Sequence, residues 1–458
     1  MKIKKQIGRE KILMPAKIDF INGNTKQCLM TMTVPMIAAM FLNMMYNLVD
    51  SLWIGNLLGE TAYAALTNST PIILLMTSVA MGAVNGVSIL IAQAIGAKDE
   101  KKTESLVATS FCASVAFSLF VSVLLELFLP EILNALNTPV ETYDMAYSYL
   151  AIYVLGYPAV YLYLYFTAVL RSFGNSMFQA AAMLVSTILN AILDPVFIHL
   201  IGFQGAAAAT LLSQAVCLLF MVVYLKAKKL FSFRISGFDR TAVLPMIRKA
   251  VPSVIQQSIP AVSTTFLTAL VSTYRVTAIA AYGVTGKLET ILFYPAMALN
   301  MVLTAIVGQC VGGKRYDRAK DYIGCALRYG CGLLVILSVL VVGFAKELSG
   351  LFVKNHNTAV IVRSYFLIVS IGYVLNTVTN CFLGFLNGMG TPSRSMFLMI
   401  FYYIVVRIPL AYLMSYLGFG LSGIWFAILI SHIAASIASA MTGRVFIKMQ
   451  ERKAGVPI

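Results

Sequence analysis

The sequence predicts an all-α integral membrane protein with twelve transmembrane helices in two pseudo-symmetric six-helix bundles. Three observations support this: the composition, the length of the apolar runs, and a motif that occurs twice. Of the 458 residues, 59% are hydrophobic and only 11% are charged, and the mean hydropathy is +0.84. Soluble domains carry about 25% charged residues. A soluble globular fold is therefore excluded.

The apolar runs define the twelve spans. A membrane-spanning helix needs about 20 mostly apolar residues. Runs of this length, separated by short polar breaks, fill the chain from Cys28 to Ile447. The predicted spans are 28–54, 61–95, 104–129, 142–170, 176–200, 204–225, 251–273, 277–311, 318–345, 358–386, 394–417 and 420–445.

The longest basic break lies between Lys226 and Lys249 and separates two sets of six spans. The predicted organisation is an N-terminal arm (1–27), an N-lobe (28–225), a linker (226–250), a C-lobe (251–445) and a tail (446–458). The first apolar run starts too late, and is too long, for a cleaved signal peptide.

The formal net charge of +16 is unevenly distributed. With the N-terminus inside, the arm, the linker, the tail and the inner loops hold most of the Lys and Arg residues. The outer loops hold only Arg275, Lys346, Lys354 and Arg363. This positive-inside pattern predicts a multi-pass protein of the cell membrane with both termini in the cytoplasm. The charge indicates contact with anionic membrane lipids and no nucleic-acid partner.

One motif is written twice, from Ile91 to Lys98 and from Val307 to Lys314, with the same Gln-x-x-Gly-x-Lys spacing. Pro35 and Pro252 likewise occupy the same place at the start of the two halves. Small residues and prolines also recur through ordinary helix packing, but the shared order favours a duplication. Two repeats of six helices enter the membrane in the same orientation, a design typical of secondary transporters.

Three acids lie within predicted spans: Asp50, Asp194 and Glu289. A charge at the bilayer centre costs about 2.5 to 3.5 kcal/mol even on the insertion scale, so such residues usually face a cavity and serve ions or substrate. The first and fifth spans both run outward, which places Asp50 and Asp194 at similar depth in the outer half. The alternative for Asp50 is the end of a helix at the outer interface, near Trp53.

Two further oxygen donors accompany this pair. Asn190 precedes Asp194 by four residues and therefore shares its helix face, and Thr210 falls in the same outer half of the sixth span. Carboxylate, amide and hydroxyl oxygens suit a small hard cation, and two close carboxylates can share a proton. We expect a cation-coupling site here for H⁺ or Na⁺, with no tightly bound metal.

Glu289 has two interpretations that the sequence leaves open. It either attracts a cationic substrate or pairs with Arg407 of the eleventh span.

Tyrosine repeats every fourth residue in the fourth span, and methionine does so in the first span. Such stripes suit a pocket for organic cations, although plain helix packing explains them equally. The candidate substrate-binding residues are Tyr46, Asn47, Tyr157, Tyr161, Gln256, Gln257, Glu289, Asn376 and Asn380.

The seven Cys and three His residues are scattered. Their spacing predicts neither a disulfide framework nor a metal site. No nucleophile and base pair stands out, and no Gly-rich phosphate loop follows a strand. The sequence therefore predicts no enzyme, no ATP-driven pump and no cofactor.

The ordered motifs resemble the multidrug and toxic compound extrusion (MATE) transporters along essentially all twelve spans. The matching segments are Pro35, Tyr46-Asn-Leu-Val-Asp50, Ala92-Gln-Ala-Ile-Gly-Ala97, Arg171-Ser-Phe-Gly174, Asn190-Ala-Ile-Leu-Asp194-Pro195, Gly205 to Thr210, Val251 to Gln257, Ala280 to Glu289, Gly308-Gln309, Gly388-Met-Gly390, Arg407-Ile-Pro409 and Gly423-Ile-Trp425. The chain departs from the family at Cys310, where Asn is more frequent, and at Lys287, where Arg is more frequent.

The resemblance implies antiport, in which H⁺ or Na⁺ enters as a lipophilic, often cationic, organic compound leaves by alternating access. It also implies a cation site at Asp50, Asn190, Asp194 and Thr210. The seventh and tenth spans lack the acids that some relatives place there. We expect a monomer. The alternative is a flippase for lipid-linked saccharide precursors, which would need several Arg residues to hold pyrophosphate.

Overall fold

The structure is a computed structural model that describes residues 18–136, 138–227, 237–350 and 356–453. The chain is helical over most of these ranges, and no β-strand occurs in them. Most of the predicted N-terminal arm, part of the linker, Lys354 and the last residues of the tail lie outside the described residues.

The N-lobe contains eight helices: α1 (Thr25–Leu58), α2 (Glu60–Gly96), α3 (Glu100–Leu127), α4 (Leu129–Ala135), α5 (Val140–Leu155), α6 (Tyr157–Ser172), α7 (Met177–Ile201) and α8 (Phe203–Ala227). Side-chain caps fix two of the starts. The side chain of Asn24 accepts a hydrogen bond from the backbone amide of Gln27 at the start of α1. The side chain of Asp99 accepts one from the backbone amide of Lys102 at the start of α3. Such caps satisfy amides that the first turn leaves free.

The C-lobe contains α9 (Arg240–Ser272), α10 (Val276–Gly312), α11 (Tyr316–Gly343), α12 (Ala345–Gly350), α13 (His356–Gly388), α14 (Pro392–Met399), a π-helical segment (Ile400–Arg407), α15 (Ile408–Tyr416) and α16 (Gly420–Lys453). Helix α9 begins at Arg240, so the end of the predicted linker is helical. Similarly, α16 continues into the predicted tail.

The number of spans agrees with the sequence. In the described part of the chain, eleven helical spans are long and apolar enough to cross a membrane, and α5 with α6 makes a twelfth. These two meet at 49°, whereas the sequence predicted one run over 142–170. Pro158 explains the break, because it has no amide to continue the helical bonding across Gly156.

The lobes are joined most firmly at one end of the bundle. We call it the basic end; it is where α2 meets α3 and α10 meets α11, near Lys98 and Lys314. One apolar cluster there packs Phe20, Met32 and Met36 against helices α10, α11, α13 and α16. The charge distribution predicts that this end is cytoplasmic.

The opposite end, where α1 meets α2 and α9 meets α10, has a different interface. The C-lobe cluster near it stays within that lobe, and the N-lobe cluster reaches the C-lobe through the start of α9, from Ala242 to Val254, which lies toward the basic end. A polar contact crosses there instead, with Lys287 Nζ 3.4 Å from Tyr63 Oη. Close beside it, Gly55, Tyr63 and Asn68 line a cavity of about 420 Å³. Apolar packing therefore holds the lobes together mainly at the basic end.

Candidate functional site

The structure brings Asp50 of α1 and Asp194 of α7 together inside the N-lobe. Their side chains are 8% and 0% exposed. The two carboxyl groups are near enough to hydrogen bond with each other when one of them holds a proton. Two unpaired buried carboxylates at this separation would repel strongly, so the pair requires a proton or a metal cation.

Asn190 and Thr210 complete the group that the sequence predicts. Asn190 Nδ2 donates to Asp194 Oδ1 at 2.8 Å, because residues four apart stack on one helix face. Both Asn190 and Thr210 are buried, and α7 and α8 form the hairpin that carries Asp194 and Thr210. The structure thus brings Asn190 into contact with Asp194, and Tyr46 of α1 contacts the Thr210 carbonyl.

Four buried oxygen atoms of this group have no hydrogen-bond partner among the described residues: Asp50 Oδ1, Asn190 Oδ1, Asp194 Oδ2 and Thr210 Oγ1. A buried unsatisfied polar atom costs about 1–3 kcal/mol, so proteins rarely keep several together. One such oxygen from each of the four residues is the arrangement that a small hard cation or a proton would satisfy. The fit to Na⁺ or H⁺ is thus good.

Pro195 lies directly beyond Asp194 inside α7. Because proline has no amide, the carbonyl of Ala191 loses its usual helical donor. This leaves one further oxygen on the turn that carries Asn190 and Asp194. The local sequence therefore concentrates acceptors at this depth of the helix.

Tyr46 lies beside this site and links helices α1 and α8. Its hydroxyl is 3.3 Å from the Thr210 carbonyl and 3.1 Å from Ser213 Oγ, and its side chain is 5% exposed. These bonds tie α1 to α8 one turn before Asp50. Its neighbour Asn47 is exposed and donates to the Asn43 carbonyl at 2.8 Å.

Tyr157 and Tyr161 are buried in the packed N-lobe, with 0% and 3% exposure. Tyr157 donates to the Met76 carbonyl at 3.1 Å, and the two rings meet edge to face at 5.9 Å. The structure therefore places both tyrosines in helix packing, the alternative that the sequence left open, and neither presents its ring at a surface.

Glu289 does not form an ion pair with Arg407. The salt bridges between described residues involve Arg315 and Arg318 at the basic end. Glu289 Oε1 instead accepts hydrogen bonds from the Tyr365 hydroxyl and, at 2.6 Å, from the Tyr373 hydroxyl. The side chain as a whole is half-buried.

Arg407 has its own set of partners. It donates to Ser431 at 2.9 Å and to Tyr402 at 2.8 Å, its Nη2 lies 3.3 Å from His432 Nε2, and its guanidinium stacks on Tyr402 and Tyr403. Hydrogen bonds and aromatic faces can hold a buried guanidinium in the absence of a carboxylate.

The predicted amide residues of the C-lobe are brought partly together. Asn380 donates to Asn376 Oδ1 and accepts from Asn300, both at 3.2 Å. Gln256 is buried with an unpaired oxygen, and Gln257 on the same helix is half-buried. The amides of α10 and α13 thus form a chain, and α9 supplies the glutamines.

Sequence reasoning missed Ser213, Asn300, Tyr365 and Tyr373. Tyr365 and Tyr373 are eight residues apart and therefore lie near one face of α13, which is a readable signal. Their convergence on Glu289 depends on how α13 packs against α10, and no local pattern reports that. Ser213 had a local signal, since it follows Thr210 by three residues on α8.

The described residues hold no group of three or more His, Cys, Asp or Glu side chains that could bind a metal. All seven cysteines are free. Duplicated six-helix lobes with buried acids are typical of membrane transporters of the two-bundle class. A family model described as MatE matches residues 35–196 and 252–413, most of both lobes. The chain belongs to the multidrug and toxic compound extrusion (MATE) family, and it is a membrane transporter, not an enzyme.

Curated relatives agree with this membership. The chain is 28% identical over 407 residues to the "Probable multidrug resistance protein YoeA" of Bacillus subtilis, with 86% of this chain and 88% of that protein covered. It is 26% identical to an "FAD transporter" of Shewanella oneidensis, with 90% and 92% covered. The name "Multidrug export protein MepA" of Staphylococcus aureus belongs to a protein matched over 43% of this chain and 44% of its own length, at 27% identity.

Solved structures agree on the fold. An "Outward-facing conformation of a multidrug resistance MATE family transporter of the MOP superfamily" superposes with a TM-score of 0.91 at 23% identity, covering 96% of this chain and 100% of that one. A mutant of the Vibrio cholerae MATE transporter VcmN gives a TM-score of 0.89 at 21% identity, covering 93% and 97%. The twelve-span, two-lobe prediction is confirmed.

Proposed function

We propose that this transporter exchanges H⁺ or Na⁺ for lipophilic, often cationic, organic compounds by alternating access. The observation that carries the proposal is the set of four unpaired buried oxygens on Asp50, Asn190, Asp194 and Thr210. Protonation or Na⁺ binding satisfies these atoms and favours one arrangement of the N-lobe helices. Coupling needs only that cation and substrate bind the two states with different affinity.

The cellular location and the orientation in the membrane are inferred from the charge distribution. We propose a protein of the cell membrane whose basic end and both termini lie in the cytoplasm, since Lys and Arg residues concentrate on the inner side. Many large apolar side chains on the outer helix faces are exposed, for example Leu200, Val223 and Ile371. Lipid would cover them in a monomer.

Efflux from proteoliposomes tests the coupling. The purified transporter is reconstituted with a fluorescent organic cation inside, and either a pH gradient or a Na⁺ gradient is imposed alone. We expect one gradient to accelerate dye release and the other to leave it at the rate of protein-free liposomes. Release that follows neither gradient would contradict cation coupling and would favour the flippase alternative.

We propose further that Glu289 attracts the cationic part of the substrate. Its side chain is half-buried and held by Tyr365 and Tyr373, and Tyr282, a half-buried ring of the same apolar cluster, stacks on Trp425 at 5.8 Å. An aromatic wall beside a carboxylate is the environment that organic cations prefer. Asn47, Gln257 and Asn380, which are exposed or half-buried, are the other predicted contacts that remain accessible.

Glu289→Gln is expected to raise the half-saturating concentration of a permanently charged cationic dye by about five-fold, the size of one partly exposed ionic contact. Transport of a neutral substrate should stay unchanged, because glutamine still accepts from the two tyrosines. Initial efflux rates at varied dye concentration provide the measurement. The matched control is Glu347→Gln, an exposed acid in α12. Equal losses for both substrates would contradict a role in charge recognition.

A further inference from the structure

Two glutamines at the basic end cross from one lobe to the other. Gln93 Nε2, on α2 of the N-lobe, donates to the carbonyl of Gly388 on α13 at 3.0 Å. Gln309 Nε2, on α10 of the C-lobe, donates to the carbonyl of Ser172 on α6 at 2.6 Å. Both are the glutamine of the duplicated Gln-x-x-Gly-x-Lys motif.

The two acceptors are also related by the duplication. Ser172 and Gly388 occupy the same place in the matching segments Leu170-Arg-Ser-Phe-Gly174 and Leu386-Asn-Gly-Met-Gly390. Each lobe therefore donates one amide and accepts the other, in a reciprocal pair. A chance contact would have no reason to appear twice with both donor and acceptor exchanged between the repeats.

The glycines of the same motif allow this contact. A Cβ atom on Gly96 would lie 2.0 Å from the Gln309 carbonyl oxygen, and one on Gly312 would lie 1.9 Å from the Gln93 carbonyl oxygen. Helices α2 and α10 therefore meet backbone to backbone at these two positions. Only residues without a side chain permit such an approach.

Burial determines how much the two hydrogen bonds stabilise the contact between the lobes. Ser172 and Gln309 are 0% and 6% exposed, so water does not replace their bond while the lobes are together. In the other bond the acceptor Gly388 is buried and the donor Gln93 is half-buried. Each carbonyl would remain unsatisfied if its glutamine were lost. When the basic end opens, water can reach all four groups. The bonds therefore favour the closed arrangement of this end.

We propose that Gln93 and Gln309 form a reciprocal latch that holds the basic ends of the two lobes together, and that both bonds break whenever this end opens. The proposal deepens the proposed function, since it rests on alternating access. It assigns the duplicated motif a gating role that is separate from the cation site, which lies toward the opposite half of the N-lobe.

Distance measurements between spin labels test the latch. Labels are attached through Lys101→Cys and Lys320→Cys, exposed at the basic ends of α3 and α11, in a transport-competent background without the seven native cysteines. The protein is studied in lipid nanodiscs with and without the coupling cation and a transported dye. A short distance reports the closed basic end and a long distance reports the open one.

We expect Gln93→Leu or Gln309→Leu each to raise the ratio of open to closed protein by about five-fold, and the double variant by about thirty-fold, since a typical net hydrogen bond contributes about 1 kcal/mol. Gln204→Leu, at an exposed position of α8 near the opposite end, is the matched control and should leave the ratio unchanged.

A second set of variants avoids the glutamine side chains. Gly96→Ala forces α2 away from the Gln309 backbone and should also favour the long distance. Gly324→Ala, where a Cβ meets nothing within 4 Å, is its control. If wild type shows both distances and no variant changes their ratio, the latch is overturned while alternating access stands. If wild type and variants all keep one distance under every condition, both proposals fail.

Discussion

Replacing Asp50 or Asp194 by asparagine is expected to reduce ion-driven efflux to the rate of protein-free liposomes. Asparagine keeps the shape and one oxygen of aspartate, but it cannot take up and release a proton or balance the charge of Na⁺. Each substitution therefore removes the chemistry and preserves the packing of α1 or α7. The measurement is the initial rate of dye release under the gradient that drives wild type.

Two controls separate a loss of coupling from a loss of the protein. Asp144→Asn changes an exposed acid of α5 in the same way and should leave the rate unchanged. Dye binding in detergent, followed by fluorescence polarisation, should persist in both site variants. If Asp50→Asn and Asp194→Asn both retained ion-driven efflux, the assignment of the cation site would be wrong.

Gly384→Ala is expected to destabilise the C-lobe by about 1–3 kcal/mol, the usual cost of overpacking a close contact. A Cβ at this position would lie 2.4 Å from the Asn300 carbonyl oxygen, so α10 and α13 would have to separate. The same movement would strain the bond from Asn300 to Asn380. Thermal unfolding of the purified protein should show a clear decrease of the melting temperature.

Gly332→Ala provides the opposite case. It lies on an exposed face of α11 where a Cβ meets nothing within 4 Å. Alanine is a better helix former than glycine by about 1 kcal/mol, so this variant should unfold at the same temperature as wild type or higher. A decrease of equal size at both positions would mean that the close approach of α10 and α13 is not what Gly384 provides.

Much of the N-lobe site was predictable because its evidence is local. Asn190 and Asp194 lie four residues apart on one helix, and helix periodicity alone places them on one face. The sequence predicted that Asp50 lies at the same depth as Asp194, because the first and fifth spans both run outward. Counting residues into the returning helix added Thr210 as a further candidate at this depth.

The C-lobe cluster was less predictable, because its partners come from distant parts of the chain. The sequence offered Arg407 as a partner for Glu289, since opposite charges in an apolar region suggest a pair. The structure gives that role to the hydroxyls of Tyr365 and Tyr373. Which side chains meet depends on the rotation of α13 against α10, and this rotation is a property of packing.

The bend between α5 and α6 gives the two lobes different mechanics. The residue that corresponds to Gly156 in the C-lobe is Gly372, and α13 continues through it without a break. Gly372 packs against the ring of His432, since a Cβ atom at this position would lie only 2.7 Å from that ring. The C-lobe span is one continuous helix. The N-lobe span is divided at Gly156 into two helices, α5 and α6. Under the proposed mechanism, α5 beside Asp50 would tilt at this bend while α6, which carries Ser172, stays in place, so that cation binding and the bond to Gln309 would act on separate halves of one span.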